Sequence, residues 1–329
     1  MTSTGPRRLV VIGAALALLG GCAPMLGRKV DLSQARAGAT TFHALRVGTR
    51  ERSYLLHLPP SMRDSGMPLL LVFHGNRANA TIVRNEANME HVTDPLGVPV
   101  AYLNGTGVFR MMGLTWNDGF CCGYALAHHV DDGAFARAVV DTLVRTLHAD
   151  RRRVFIVGLS AGGTLVLRLV CDGDTTYAGV VSVAGVMPVQ RCEPRRRVPV
   201  MFMRGAADSS LRHDHAVNAG LGARPYATSF PASRAFWAAF DGCEAAVVVD
   251  STPGAVITRA AGCPPGLDAQ DVVVLGQGHA WPGGRKPWPL APRPAHYDAA
   301  ALIVDYFLGG RRALTPAAPP SAGSPRRSG

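Results

Sequence analysis

Arg153-Val154-Phe155-Ile156-Val157-Gly158-Leu159-Ser160-Ala161-Gly162-Gly163 is the stretch on which the fold turns. Residues 154–157 form a short apolar run of strand type, and residues 164–170 read as a buried helix. Between them, Gly158-Leu159-Ser160-Ala161-Gly162 fits G-x-S-x-G, a pattern that belongs at a sharp strand-to-helix turn. Such a turn forces a serine into a strained, exposed conformation. Its glycines let backbones pass where a Cβ would clash. The helix that follows aims unpaired N–H groups and its positive dipole end at charge developing beside the serine. The pentapeptide alone arises by chance in Gly-rich chains; the strand before it and the helix after it give it meaning.

Working outward, the same alternation of short buried strands and helices continues. Residues 68–76, Pro-Leu-Leu-Leu-Val-Phe-His-Gly-Asn, contain a continuous apolar run, the signature of a parallel strand covered on both faces. Residues 51–59, 98–103, 178–183 and 198–203 read as further strands, and 134–148 and 295–308 as helices. Asp131 or Asp132 is the expected N-cap of the first of these helices. The expected fold is therefore α/β, a mostly parallel central sheet with helices on both faces and its site at the carboxyl edge. In α/β-hydrolases a His-Gly turn after an early strand supplies one oxyanion-hole amide. Here that turn is His74-Gly75, so the expected donors are the backbone N–H groups of Asn76 and Ala161. His74 itself reads as structural.

A catalytic serine on this architecture needs an acid and then a histidine later in the chain. Arg204-Gly205-Ala206-Ala207-Asp208 follows the strand at 198–203, which makes Asp208 the expected acid and Asp214 its rival. Val272-Val273-Val274-Leu275-Gly276-Gln277-Gly278-His279 runs from a buried strand into a Gly-rich loop, which makes His279 the expected general base. His213, His215 and His296 lack that setting, and His213 with His215 shows no third ligand at metal-site spacing. Trp116 and Trp281, in aromatic loops, are candidates for lining a substrate pocket, with interior packing the competing role of Trp116.

These residues resemble the poly(3-hydroxybutyrate) depolymerase and feruloyl esterase type of α/β-hydrolase. The matching features are Phe73-His74-Gly75, Trp116-Asn117 with Cys121-Cys122-Gly123, Val130-Asp131-Asp132, the Ser160 elbow, Gly205 with Asp208, and Gly278-His279-Ala280-Trp281-Pro282-Gly283. The similarity runs from about residue 42 to about residue 307. It implies secreted carboxylic-ester hydrolysis by a Ser160-Asp208-His279 triad with no cofactor. One departure is that Ser209-Ser210-Leu211-Arg212 follows the acid, where relatives commonly carry proline and apolar residues.

The amino terminus reads as a targeting segment. Arg7 and Arg8 precede a short apolar run at 9–19, and Leu19-Gly20-Gly21-Cys22 matches a bacterial lipobox with Cys22 as the lipidated residue. The expected organisation is a lipoprotein signal peptide at 1–21, a linker at 22–41, a catalytic domain at 42–308 and a Pro/Ala/Arg-rich disordered tail at 309–329. The expected location is therefore outside the cytoplasm, anchored to a membrane on its periplasmic or cell-surface side. Removing Cys22 from the seven cysteines leaves six, an even number suited to an oxidising compartment. Cys243 with Cys263 is the first expected pair and Cys171 with Cys192 the next, leaving Cys121 and Cys122; about fifteen connectivities are open.

Composition bounds what else the chain can be. Hydrophobic residues make up 47% of 329, enough for a full core. The net charge of +11 overstates the folded part, because Arg7, Arg8, Arg311, Arg312, Arg326 and Arg327 lie in the leader and tail. No helix-turn-helix, zinc-finger or RRM pattern occurs, so no nucleic-acid partner is expected. The expected substrate is an ester: a short hydroxyalkanoate, a feruloyl ester or an acetylated polysaccharide. A peptidase or amidase on the same fold, and a catalytically silent surface-binding lipoprotein, are the competing readings.

Overall fold

The computed structural model of the chain describes residues 36–120, 123–187, 192–210, 229–285 and 295–309. In chain order the elements are β1 (Thr40–Val47), β2 (Arg50–His57), β3 (Leu69–Phe73), α1 (Ala80–Ala87), α2 (Glu90–Leu96), β4 (Val100–Leu103), α3 (Tyr124–Ala127), α4 (Asp132–Leu147), β5 (Val154–Leu159), α5 (Ala161–Cys171), β6 (Gly179–Val183), β7 (Val200–Gly205), α6 (Phe230–Asp241), β8 (Val247–Thr252), β9 (Ala255–Ala260), β10 (Ala269–Val274) and α7 (Ala299–Leu308).

The strands form one sheet in the order β1-β2-β4-β3-β5-β6-β7-β10-β9-β8. From β4 to β10 every neighbouring pair is parallel. The antiparallel pairs β1–β2 and β9–β8 flank this block at its two edges. β3, β4, β5, β6 and β7 are buried at every position, which is why they appear in the sequence as unbroken apolar runs. Strands covered on one face would alternate instead. This is the α/β-hydrolase architecture that the elbow and its flanking strands imply.

The parallel block fixes where chemistry can happen. Its carboxyl ends deliver Gly75 after β3, Gly105 after β4, Ser160 after β5, Asp208 after β7 and His279 after β10 to one edge of the sheet. Two disulfides tie the surroundings: Cys171 at the end of α5 to Cys192, and Cys243 after α6 to Cys263 after β9. Cys121 and Cys122 lie outside the described residues. Asp131 caps α4, its carboxylate accepting the Ala134 N–H at 2.7 Å, whereas Asp132 turns inward to Arg52. The closing helix begins at Ala299 rather than 295, because Asp298 accepts the Ala301 N–H and sets the first turn there. No helix among the described residues is long and apolar enough to cross a membrane.

Candidate active site

The elbow is built by close approach. Ser160 sits at φ 54° and ψ −118°, a strained conformation for a residue with a Cβ, typically costing about 1–3 kcal/mol. The surroundings hold it there: the Ser160 N–H donates to Val183 O at 2.8 Å and the Thr164 N–H to Ser160 O at 2.9 Å. A Cβ on Gly162 would stand 2.5 Å from Phe73 O and 2.6 Å from His74 O, and one on Gly158 would run into the Gly162 carbonyl. Only glycine lets α5 start this close to the exits of β3 and β5. Asn79, Asp131, Ser229 and Asp298 cap α1, α4, α6 and α7 with their side chains. Ser160 occupies the same N-cap position on α5 but makes no such bond. Its hydroxyl points to a histidine instead.

Ser160 Oγ lies 2.9 Å from His279 Nε2, and His279 Nδ1 lies 2.8 Å from Asp208 Oδ2. Asp208 is acceptor-only when ionised, so Nδ1 carries the proton and Nε2 presents its lone pair to the hydroxyl. The Asp208 side chain is fully buried and the imidazole partly exposed. Asp208 Oδ1 also accepts the Ser210 N–H at 2.9 Å, so the Ser209-Ser210 departure still orients the carboxylate. Buried Gln277 joins the two loops. Its main-chain oxygen accepts the Ala207 N–H at 2.9 Å. Its side-chain amide donates to Gly278 O and Ala280 O, both at 3.1 Å, and its Oε1 accepts the Ala295 N–H at 2.7 Å. A serine, base and acid joined in this way can deprotonate the hydroxyl and hold the resulting imidazolium.

Beside the elbow, His74 organises the turn after β3. Its Nδ1–H donates to Gly75 O at 2.7 Å, and its Nε2 accepts the Gly105 N–H at 2.9 Å. Both nitrogens are thereby used in the neutral form. Complete burial pushes the ring down to about 4, partly offset by its bond to Gly75 O. Gly75 O also accepts the Ala78 N–H at 3.2 Å. With that carbonyl held from two sides, the N–H of the same trans peptide, that of Asn76, faces the opposite way. Gly75 packs against the elbow: a Cβ there would lie 3.5 Å from Ser160 Cβ. The other amide expected of an oxyanion hole, Ala161 N–H, is the first of α5.

Some expectations need correction. Trp116 and Trp281 are each 1% exposed and do not present a ring to a substrate. Trp116 Nε1–H donates to His74 O at 2.8 Å, and its ring packs on Phe73 and His74. Both indoles serve as packing beneath the loops that carry the site. Asp214, His213 and His215 lie outside the described residues; His296 is described and takes no part in the Ser160–His279–Asp208 chain. Among the described residues no cluster of three or more His, Cys, Asp or Glu could hold a metal ion.

Two supports were not expected from sequence. Glu86, buried in α1, accepts the Arg285 N–H on its main-chain oxygen at 3.1 Å, seating the loop after His279 on that helix. Burial pushes its carboxyl up to about 7, an effect that a protonated His279 nearby opposes. The buried pair Arg52–Asp132, 2.7 Å apart, braces the loop after β4: Arg52 donates to Asn104 O, and Asp132 Oδ2 accepts the Asn117 N–H at 2.7 Å. Both become visible only when separate elements meet.

The chain is similar to known esterases. The family described as esterase PHB depolymerase matches residues 52–232. A relative named "Putative esterase NocK" from Nocardia uniformis subsp. tsuyamanensis is 31% identical over 300 residues, covering 82% of this chain and 83% of that protein. Feruloyl esterase B of Piromyces equi is 25% identical over 232 residues, 68% of this chain but 42% of that longer protein. Among solved structures, the acetyl xylan esterase from Aspergillus awamori superposes with a TM-score of 0.55 at 11% identity, over 81% of this chain and 98% of that one, a likeness of fold. The chain belongs to the esterase PHB depolymerase family and is a serine esterase on the α/β-hydrolase fold.

Proposed function

We propose that this serine esterase is an exported lipoprotein, anchored through Cys22, that hydrolyses short hydroxyalkanoate, feruloyl or acetyl esters through an acyl-enzyme on Ser160. The observation that carries the reading is the unbroken hydrogen-bond chain from Ser160 Oγ through His279 to Asp208. Ser160 Oγ attacks the ester carbonyl carbon while its proton passes to His279 Nε2. The N–H groups of Asn76 and Ala161 receive the oxyanion, and Asp208 holds the imidazolium. Collapse of the tetrahedral intermediate breaks the carbon–oxygen bond to the alcohol, which leaves with the proton from Nε2. A water then gives a proton to His279 and attacks the acyl carbon. Ser160 departs with that proton, and the acid product is released.

The cysteines support export, since the two disulfides persist only where the compartment is oxidising. The names of the relatives support the candidate acyl groups. The direct test is to incubate the chain with methyl ferulate, hydroxybutyrate oligomers and acetyl-xylan, quench, and locate any acyl mass by peptide mapping. An adduct on the peptide bearing Ser160 is expected. Turnover of any of these esters with no adduct under rapid quench, and no burst of alcohol, would contradict the covalent route. Labelled palmitate incorporated by the parent and lost in Cys22→Ala tests the anchor.

A further inference from the structure

Residues 108–113 form an uninterrupted exposed segment in the loop between β4 and α3. Its sequence, Val-Phe-Arg-Met-Met-Gly, is mostly apolar, yet Val108 is 77%, Phe109 68% and Met112 70% exposed, with Met111 also outward. Single exposed apolar residues are ordinary; four within five positions of one loop are a patch. The loop is held at its base. Thr106 bridges Thr115, Ala78 bridges Leu114, and Asn79 Nδ2–H donates to Met111 O at 2.9 Å. The apolar tip is thus fixed to the Asn76–Asn79 turn, alongside the Ser160 elbow.

The surroundings are cationic. Arg110 lies within the tip and pairs with Glu51 at 2.9 Å; exposed Arg77 lies in the attached turn, and exposed Arg46 is the cross-strand partner of Glu51. Three arginines and one acid are thus carried on the tip, its attached turn and the neighbouring hairpin. Apolar side chains flanked by arginines match the boundary of an anionic bilayer, with acyl chains inside and phosphates outside. Chain length permits that orientation. β1 begins at Thr40, at the sheet edge opposite the site, because Thr40 pairs with His57 and His57 with Val100, the first residue of β4. Gly38 and Ala39 are tied to Leu58, so the tether runs from Cys22 to Arg36, fourteen residues that can extend to about 48 Å, nearly twice the roughly 26 Å rise of an eight-residue strand. A tether at Cys22 would leave the site edge free to face the same membrane.

We propose that loop 108–113 is a membrane-contact element whose apolar tip enters the acyl boundary of an anionic lipid surface, setting the site edge against that surface. The proposal does not depend on which ester is cleaved. The test uses the full chain with Cys22→Ala, so that no acylation intervenes, and vesicles of phosphatidylcholine with or without phosphatidylglycerol. In a Phe109→Trp variant the added indole should shift its emission to shorter wavelength on anionic vesicles. It should also be quenched by brominated acyl chains, beyond the signal of the four native tryptophans. Val108→Asp, Phe109→Asp and Met112→Asp together should weaken partitioning by about tenfold or more, with the melting temperature nearly kept, because these side chains are mostly exposed. The apolar run at 9–19 is common to every variant and cannot account for that difference. An added indole that stays accessible to aqueous acrylamide on vesicle-bound chain overturns the proposal. So does a triple variant that partitions like the parent, or a parent that ignores anionic vesicles. A parent that is dimeric until the triple substitution makes it monomeric also overturns it, by assigning the patch to a second copy.

Discussion

Replacing His74 tests whether a buried imidazole aims one of the proposed oxyanion donors. His74→Leu removes the Nδ1–H bond to Gly75 O and the acceptor for the Gly105 N–H. Gly75 O keeps the Ala78 N–H, so the turn survives but its peptide plane is held from one side only. A whole oxyanion donor is worth about 2.7–4 kcal/mol. A donor that is misdirected rather than deleted should cost part of that, a fall in kcat of roughly 10- to 100-fold with KM little changed. The orphaned Gly105 N–H adds about 1–3 kcal/mol of lost stability. His74→Asn separates the two effects. Its amide can still donate to Gly75 O but cannot reach Gly105, so kcat should stay within about threefold of the parent while stability still falls. The assay is p-nitrophenyl butyrate hydrolysis beside urea unfolding of all three proteins.

Acid unfolding gives an independent reading of the same group. The folded ring titrates at about 4 against an ordinary 6.5, so between those values the unfolded chain binds more protons. His74 therefore stabilises the fold fully above about pH 6.5 and loses about 3 kcal/mol of that as pH falls to 4. His74→Leu should flatten this part of the profile. A folded His74→Leu protein with parental kcat and an unchanged acid limb would refute the reasoning.

Other outcomes follow from the same geometry. Glu86 titrates at about 7 in the fold against an ordinary 4.5, so the folded chain binds the extra proton and stability falls as pH rises through that window. Glu86→Gln should raise the melting temperature at pH 8 and leave it nearly unchanged at pH 5, read by calorimetry. Asp132→Ala strands buried Arg52 and frees the Asn117 N–H; a loss of about 3–5 kcal/mol in urea unfolding is expected. Replacing both Cys171 and Cys192 by serine opens a cross-link of 21 residues and should cost about 3 kcal/mol, again from unfolding midpoints.

The parallel block was legible in the sequence for a physical reason. Strands buried on both faces must be continuously apolar, and Gly, His or Asp must follow where the chain turns over the carboxyl edge. Chain order then singled out Ser160, Asp208 and His279, which the structure links in one hydrogen-bond chain through His279. What stayed hidden depends on partners distant in sequence. Arg52 and Asp132 are 80 residues apart, and although Asp132 stands in the Val130-Asp131-Asp132 stretch, nothing local shows that its partner is Arg52. Glu86 lies on a helix that reads as ordinary, and Gln277 resembles one more polar residue in a glycine-rich loop. Trp116 was ambiguous because an indole in a loop suits a pocket and a core equally; its bond to His74 O decides for the core. No helix is expected at α6 from the sequence, although Ser229 as a cap and Pro231 in the first turn are signals for one.

Ser160 as the nucleophile is tested most directly by hydrolysis of p-nitrophenyl acetate and butyrate by the parent and by Ser160→Ala, with fluorophosphonate labelling of both. Turnover and one label are expected on the parent, and in the variant a loss of several orders of magnitude in kcat with no label. A correctly folded, disulfide-intact parent that neither turns over nor takes the label, or a Ser160→Ala protein that hydrolyses both esters like the parent, would contradict it.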